Sequence, residues 1–287
     1  MRKYLRNYLL LINITNNKSM SAVVSSPKPA IVHIQTVQAT SIKVLFDSLR
    51  DILTDVNIHF TKKNMWIKAM DSSHVALIYL CLEAEHFEVF NCETDIVAGV
   101  NMTSISKLIK TITPQDTVSF TINSNNPDKL EIAISNSGKN SQSVSLLNLL
   151  DINEDTYEIP DIKYNSVIKI PSTDFQKICR DLSSIGDVVK ITSNSSELSF
   201  QVKGDFATQS ISIGSGGGII QSQHEGDEVS EEFSLKYLNL FTKSTNLGNV
   251  VELYFKRNRP MIALYKVGNL GRVQYALAPR VSDDELG

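Results

Sequence analysis

The chain has 287 residues, of which 42% are hydrophobic and 21% charged, with a net charge of −3. That is ordinary soluble-protein composition with room for two domains of about 100–150 residues, and the overall charge does not announce a nucleic-acid binder. Three cysteines (Cys81, Cys92, Cys179) in no CxxC pair argue against a disulfide framework or a zinc site, point to a reducing compartment, and leave no metal or cofactor expected. No apolar run approaches the ~18–20 residues that a membrane helix needs.

Met1–Ile14 is basic and then apolar, but Asn7 and Asn13 interrupt it and no small-residue cleavage site follows clearly. Residues 1–29 are therefore expected to be a disordered extension rather than a targeting segment, with Met20 a candidate start. Alternation begins at Ala30, and a first series of strands follows through Ser141–Leu147. Within it, Lys129–Ser135 is the strand before the last. The acidic, Pro160-containing stretch 151–163 reads as a connector, and a second series begins at Val167 and ends at Arg272–Leu277. Asn, Asp, Ser and Gly cluster between the strands, as turns require.

Only four segments carry helical spacing: Ser41–Leu53, Ser104–Thr111, Ser172–Ser184 and Ser234–Thr245. Each opens with a serine, a good N-cap residue. Ile42, Leu45, Phe46, Leu49, Ile52 and Leu53 form one apolar stripe; Phe175, Ile178, Cys179 and Leu182 form another. Strands and helices recur in the same order in both halves. Arg50-Asp51-Ile52 and Arg180-Asp181-Leu182, 130 positions apart (180 against 50), suggest the repeat register. The expected fold is α+β, in two similar domains at 30–150 and 164–282, with a C-terminal tail at 283–287.

The four helical segments hold eight basic residues against four acidic ones within an acidic chain. The basic pairs are Lys43 and Arg50, Lys107 and Lys110, Lys177 and Arg180, Lys236 and Lys243. Spacings of seven or three residues keep each pair on one helix face at about 3.6 residues per turn. Four such faces on one surface would make a track for phosphate backbones without sequence preference. A solvated face is the competing reading of each pair taken alone.

Enzyme signatures are thin. Gly214–Gly218 lacks the lysine and following helix of a phosphate-binding loop, and no HExxH occurs. The five histidines are scattered, Cys179 sits on an apolar stripe, and Asp71 has no evident catalytic partner. No catalytic residue is assigned.

Three stretches together carry a family pattern. They are Met70-Asp71-Ser72-Ser73-His74-Val75-Ala76-Leu77, Ile178-Cys179-Arg180-Asp181-Leu182-Ser183-Ser184-Ile185-Gly186-Asp187, and Lys236-Tyr237-Leu238-Asn239-Leu240-Phe241-Thr242-Lys243, followed later by Leu277-Ala278-Pro279-Arg280. From about Ala30 to Leu286 the chain resembles proliferating cell nuclear antigen, the eukaryotic sliding-clamp family. The resemblance implies a processivity factor rather than an enzyme: a homotrimeric ring around double-stranded DNA, with helices lining the channel and antiparallel sheets outside. It implies that the eight basic residues named above face the DNA. It implies edge pairing between Asp128–Asn136 of one subunit and Ala207–Ser215 of the next.

The same resemblance implies a client pocket beside the connector, formed by Met70, His74, Val75, Leu77, Tyr157, Ile159, Pro160, Tyr164, Pro260, Ala278 and Pro279. Clients would bring an aliphatic and paired aromatic side chains. They would include a replicative DNA polymerase, a clamp loader, and flap endonuclease and DNA ligase types. There are departures from the pattern. Tyr157 and Glu158 alter the connector, and Ser199 stands where many relatives carry a modifiable lysine. They and the N-terminal extension suggest a protist or a large DNA virus, and hence a nucleus or a cytoplasmic viral factory. A subunit of a heterotrimeric checkpoint-type clamp is the neighbouring alternative.

Overall fold

The computed structural model describes residues 30–153, 162–214, 218, 221–226 and 228–280. The expected N-terminal extension, most of the connector and the C-terminal tail lie outside the described residues. The first half runs β1 (Ala30–Thr36), α1 (Ala39–Leu49), β2 (Asp55–Phe60), β3 (Asn64–Met70), β4 (Ala76–Glu83), β5 (Val89–Cys92), β6 (Ile96–Asn101), α2 (Met102–Ile109), β7 (Thr117–Asn123), β8 (Asn126–Asn136) and β9 (Ser141–Asn148). The second half repeats that order. It runs β10 (Ser166–Pro171), α3 (Ser172–Leu182), β11 (Val188–Ser193), β12 (Glu197–Lys203), β13 (Thr208–Gly214), β14 (Gln221–His224), β15 (Val229–Ser234), α4 (Leu235–Phe241), β16 (Val250–Phe255), β17 (Met261–Val267) and β18 (Gly271–Leu277).

Strand periodicity supplies the core. In β2, Val56, Ile58 and Phe60 are buried while Asn57 and His59 are not, the period-2 signature of a sheet with one packed face. The helix stripes bury against such faces: Ile42, Leu45, Phe46 and Leu49 in α1, and Phe175, Ile178, Cys179 and Leu182 in α3. These residues also set the repeat register. Ala39, Ile42, Leu45, Phe46 and Leu49 answer Ser172, Phe175, Ile178, Cys179 and Leu182, an offset of 133 (172 against 39). The register suggested by the two Arg-Asp pairs is thus three residues out. Ile52 follows the end of α1, whereas Leu182 is the last residue of α3.

Each half makes one five-stranded and one four-stranded sheet. The first half orders them β5-β1-β7-β8-β9 and β6-β2-β3-β4; the second, β14-β10-β16-β17-β18 and β15-β11-β12-β13. Antiparallel pairing of β18 with β4, from Gly271↔Leu82 to Leu277↔Ala76, fuses two of the four into one nine-stranded sheet spanning both halves. On the packed face of that junction Val273, Tyr275, Ile78 and Leu80 are fully buried. Tyr275 stacks on Phe241, ring centroids 4.7 Å apart, and its hydroxyl meets Ser244 Oγ at 2.6 Å.

Of the six strands that end a sheet (β5, β6, β9, β13, β14 and β15), two occupy the positions that the fusion joins in the middle of the chain: β9 and β13. They are the repeat counterparts of β18 and β4. The edge is therefore β9 rather than Asp128–Asn136. β8 is covered by β9 along its length, from Lys129↔Asn148 to Asn136↔Ser141, because the chain turns straight back at Ser137–Asn140. The β13 edge falls within the expected Ala207–Ser215 range. Exposed apolar side chains gather at these two edges: Val144 and Leu146 on β9, Leu150 just beyond it, and Phe206, 79% exposed, at the turn before β13.

Other departures have local causes. Of the four serines, none caps its helix through its side chain as expected. Asn101 caps α2 by accepting from Ser104 N at 2.9 Å, and Ser172 Oγ donates instead to Gly248 O at 2.7 Å. β14 has no apolar alternation to reveal it and exists through its pairing with β10. β5 begins at Val89 rather than Phe87, because Ala84–His86 forms a 3-10 turn first. The fourth helical segment ends as α, then tightens to a 3-10 stretch at Thr242–Leu247.

Candidate nucleic-acid interface and docking pocket

The four helices form one layer on the sheets. α1 touches α2 and the Thr242–Leu247 turn, and that turn in turn touches α3 and α4. With their apolar stripes spent on the sheets, the polar faces of the helices point to the other side of the layer. All eight predicted basic residues lie within or just beyond these helices. Lys107, Lys110, Lys177 and Lys236 are exposed and make no ion pair among the described residues.

The other four are engaged. Lys43 Nζ donates to Ile112 O at 3.1 Å and is half-buried. Arg50 lies 3.5 Å from Asp47 and 3.7 Å from Asp51. Arg180 pairs with Asp181 at 3.2 Å, and Lys243 pairs with Asp51 across the two halves. These pairs are solvent-exposed and weak, worth about 0–1 kcal/mol, so a phosphate can compete for the cations. Lys236 Nζ stands 5.9 Å from the centre of the Tyr237 ring.

The described pocket residues fall at the ends of β3, β4, β17 and β18, with Tyr164 just before β10. Met70 pairs with Leu77, and Leu77 with Ala276. Ala278 N donates to Val75 O at 3.1 Å. Tyr164 Oη donates to Pro260 O at 3.3 Å and its ring meets Tyr254 edge-on at 5.7 Å. Met70, Val75, Leu77, Tyr164, Pro260, Ala278 and Pro279 are half-buried, so they present apolar surface without being core; His74 is exposed. Tyr157, Ile159 and Pro160 lie outside the described residues. The connector leaves the first half through Leu150, whose N–H donates to Gly99 O at 2.8 Å. A Cβ at Gly99 would stand 2.2 Å from Leu150 O, so this crossing needs glycine.

The turn between β3 and β4 is built on Asp71. Its carboxylate accepts from Ser73 N (3.0 Å), Val75 N (2.8 Å) and Ala76 N (2.7 Å), and from Tyr237 Oη (2.6 Å) on α4. Burial pushes this carboxyl up; the Tyr237 hydroxyl and the three amides outweigh burial and hold it below the ordinary carboxylate value. His74 takes a left-handed backbone, φ 56°, to close the turn. Asp71 and Tyr237 were missed as a pair by sequence reasoning. Asp-Ser-Ser signals a side-chain-capped turn, but nothing in the sequence pairs it with a tyrosine 166 residues away.

Two family profiles account for nearly all of the described chain. The N-terminal domain of proliferating cell nuclear antigen matches residues 31–158, and its C-terminal domain matches residues 158–280. The chain belongs to the proliferating cell nuclear antigen family. It is 37% identical over 257 residues to a probable DNA polymerase sliding clamp 1 of Paramecium bursaria Chlorella virus 1, covering 88% of this chain and 98% of the relative. It is also 32% identical over 249 residues to proliferating cell nuclear antigen 2 of Drosophila melanogaster, covering 87% and 97% respectively. The two-domain, mainly antiparallel architecture with few helices is that of the DNA clamp fold. Among the described residues there is no group of three potential metal ligands and no helix long and apolar enough to cross a membrane.

Proposed function

We propose that this clamp-family chain encircles duplex DNA as a homotrimer and tethers replication proteins to it. The chain is a sliding clamp, a processivity factor for DNA polymerase. The observation that carries the ring is the pair of free edges. β4 and β18 complete each other within the chain, and their repeat counterparts β13 and β9 stand open. A head-to-tail contact whose rotation closes would pair both of these edges at every boundary.

The internal junction supplies the register for that contact. Tyr275↔Ile78 and Val273↔Leu80 translate, through the repeat, into Ser145 opposite Gln209 and Ser143 opposite Ile211. Leu80 and Leu82 are fully buried, whereas their counterparts Ile211 and Ile213 remain half-buried in the single chain. A gap of about 330 Å³ beside them, lined by Ile178, Ile211 and Ile213 with Asp174, Lys177 and Asp181 of α3 at its other side, is space that a neighbour's β9 would border.

Six clamp domains so arranged turn the helical layer inward. We assign Lys107, Lys110, Lys177 and Lys236 to weak, sequence-independent contact with phosphates, joined by Lys43, Arg50, Arg180 and Lys243 as their partners exchange. Enclosure retains the DNA, so attraction need only be loose enough to permit sliding. The half-buried apolar patch around Leu77, Val75, Pro260 and Pro279 has the character of an anchor pocket for an aliphatic and aromatic client motif. On this reading the ring is a scaffold. Polymerase, clamp loader, flap endonuclease and ligase are its clients, in a nucleus or a viral factory.

The deciding experiment is mass and topology together. A clamp sediments at three times the 31.9 kDa chain mass. Once loaded, it stays on circular DNA and runs off when the circle is cut. A stable monomer, or equal retention on both DNA forms, refutes the reading.

A further inference from the structure

We infer that Tyr237, a residue of the helical layer, is a positioning residue for client docking: its hydroxyl holds the pocket turn in shape through Asp71. The inference rests on the pocket assignment made above. The Met70–Val75 turn carries His74 and Val75 to the pocket rim; His74 lies outside the ladders, and Val75 meets β18's end only through the Ala278 N–H. Three backbone amides converge on one carboxylate, and among the described residues that carboxylate is anchored to another structural element through the Tyr237 hydroxyl. Asp71 is 5% exposed, so these are low-dielectric, charge-assisted bonds, about twice as strong as neutral ones. Tyr237 is fixed in turn by its place on α4, next to Phe241, whose ring centre is 6.5 Å away.

The consequence is a link between the two faces of the molecule. Tyr237 follows Lys236, whose ammonium lies over the Tyr237 ring. A single turn of α4 therefore presents a cation on the channel side and a strut to the client side. Without the strut, the turn keeps its amide bonds to Asp71 but loses their fixed direction. A client then has to order the turn on binding, and affinity falls.

The test uses the full-length protein and a labelled short peptide bearing one aliphatic and two adjacent aromatic side chains, with Kd read by fluorescence anisotropy. Y237F should bind about tenfold more weakly, the loss of one hydrogen bond to a charged group. Amide exchange at Ser73, Val75 and Ala76 should quicken, while trimer mass and retention on circular DNA stay unchanged. D71N, which keeps one acceptor oxygen for the amides, should weaken binding in the same direction, and the double variant should be less than additive. Unaltered exchange at those three amides in Y237F overturns the strut whether or not the peptide binds. Faster exchange with unchanged peptide affinity overturns its role in docking. Failure of the wild-type protein to bind the peptide overturns the pocket assignment instead, and with it the docking role.

Discussion

Ser143 stands where the internal junction has Val273. Val273 is fully buried opposite Leu80, and the repeat sets Ser143 opposite Ile211 of the neighbouring subunit. Replacing Ser143 with valine should therefore fill the packed face of each subunit boundary. Burying a valine is worth about 1.5–3 kcal/mol in full, and about 1 kcal/mol is a reasonable net gain at a boundary that must still order itself. A trimer has three boundaries, so the ring gains about 3 kcal/mol. The half-dissociation concentration varies as the square root of the trimer dissociation constant, so it should fall about tenfold. Sedimentation velocity or mass photometry over a dilution series measures it directly. A register shifted by one residue would turn position 143 to the opposite face of the sheet. Half-dissociation unmoved or raised in S143V would therefore refute the register deduced from the internal repeat.

Ile211→Asp should act oppositely, leaving a folded monomer on the same dilution series, because the boundary would then bury a carboxylate beside Ile178 and in a gap already lined by Asp174 and Asp181. Changing Lys107, Lys110, Lys177 and Lys236 together to alanine should leave trimer mass intact, lower polymerase processivity and flatten the salt dependence of DNA retention by up to about four phosphate contacts; unchanged processivity would count against the channel assignment. Gly99→Ala should lower the melting temperature, at a cost of about 1–3 kcal/mol, because the new methyl meets Leu150 O at 2.2 Å. Asp71 has a depressed pKa in the folded state, so its stabilisation is complete above the unfolded value of about 3.9 and fades as pH falls through the folded one. D71N should accordingly lower Tm at neutral pH and show a shallower further loss on acidification than wild type.

Much of the fold was legible because it follows from local periodicity. Val56, Ile58 and Phe60 alternate, and Ile42, Leu45, Phe46 and Leu49 recur at helical spacing, so strand and helix declare themselves wherever one face is packed. β14 did not, since Gln-Ser-Gln-His carries no such pattern and depends on its partner strand. The basic pairs were equally visible, being local to single helices.

Relations across the chain were not. Arg-Asp dipeptides suggested a repeat register one helical turn out, because surface residues tolerate drift that buried ones cannot. That β9 rather than β8 forms the edge depends on which side of the sheet a hairpin folds. The tertiary structure also decided that Lys243 pairs with Asp51 and that Tyr237 reaches Asp71, contacts joining residues far apart in sequence. Local sequence sets the elements, because backbone preferences and burial periods act over a few residues. Tertiary structure sets which edges stay open and which side chains meet, because those depend on packing between elements that the chain brings together only after folding.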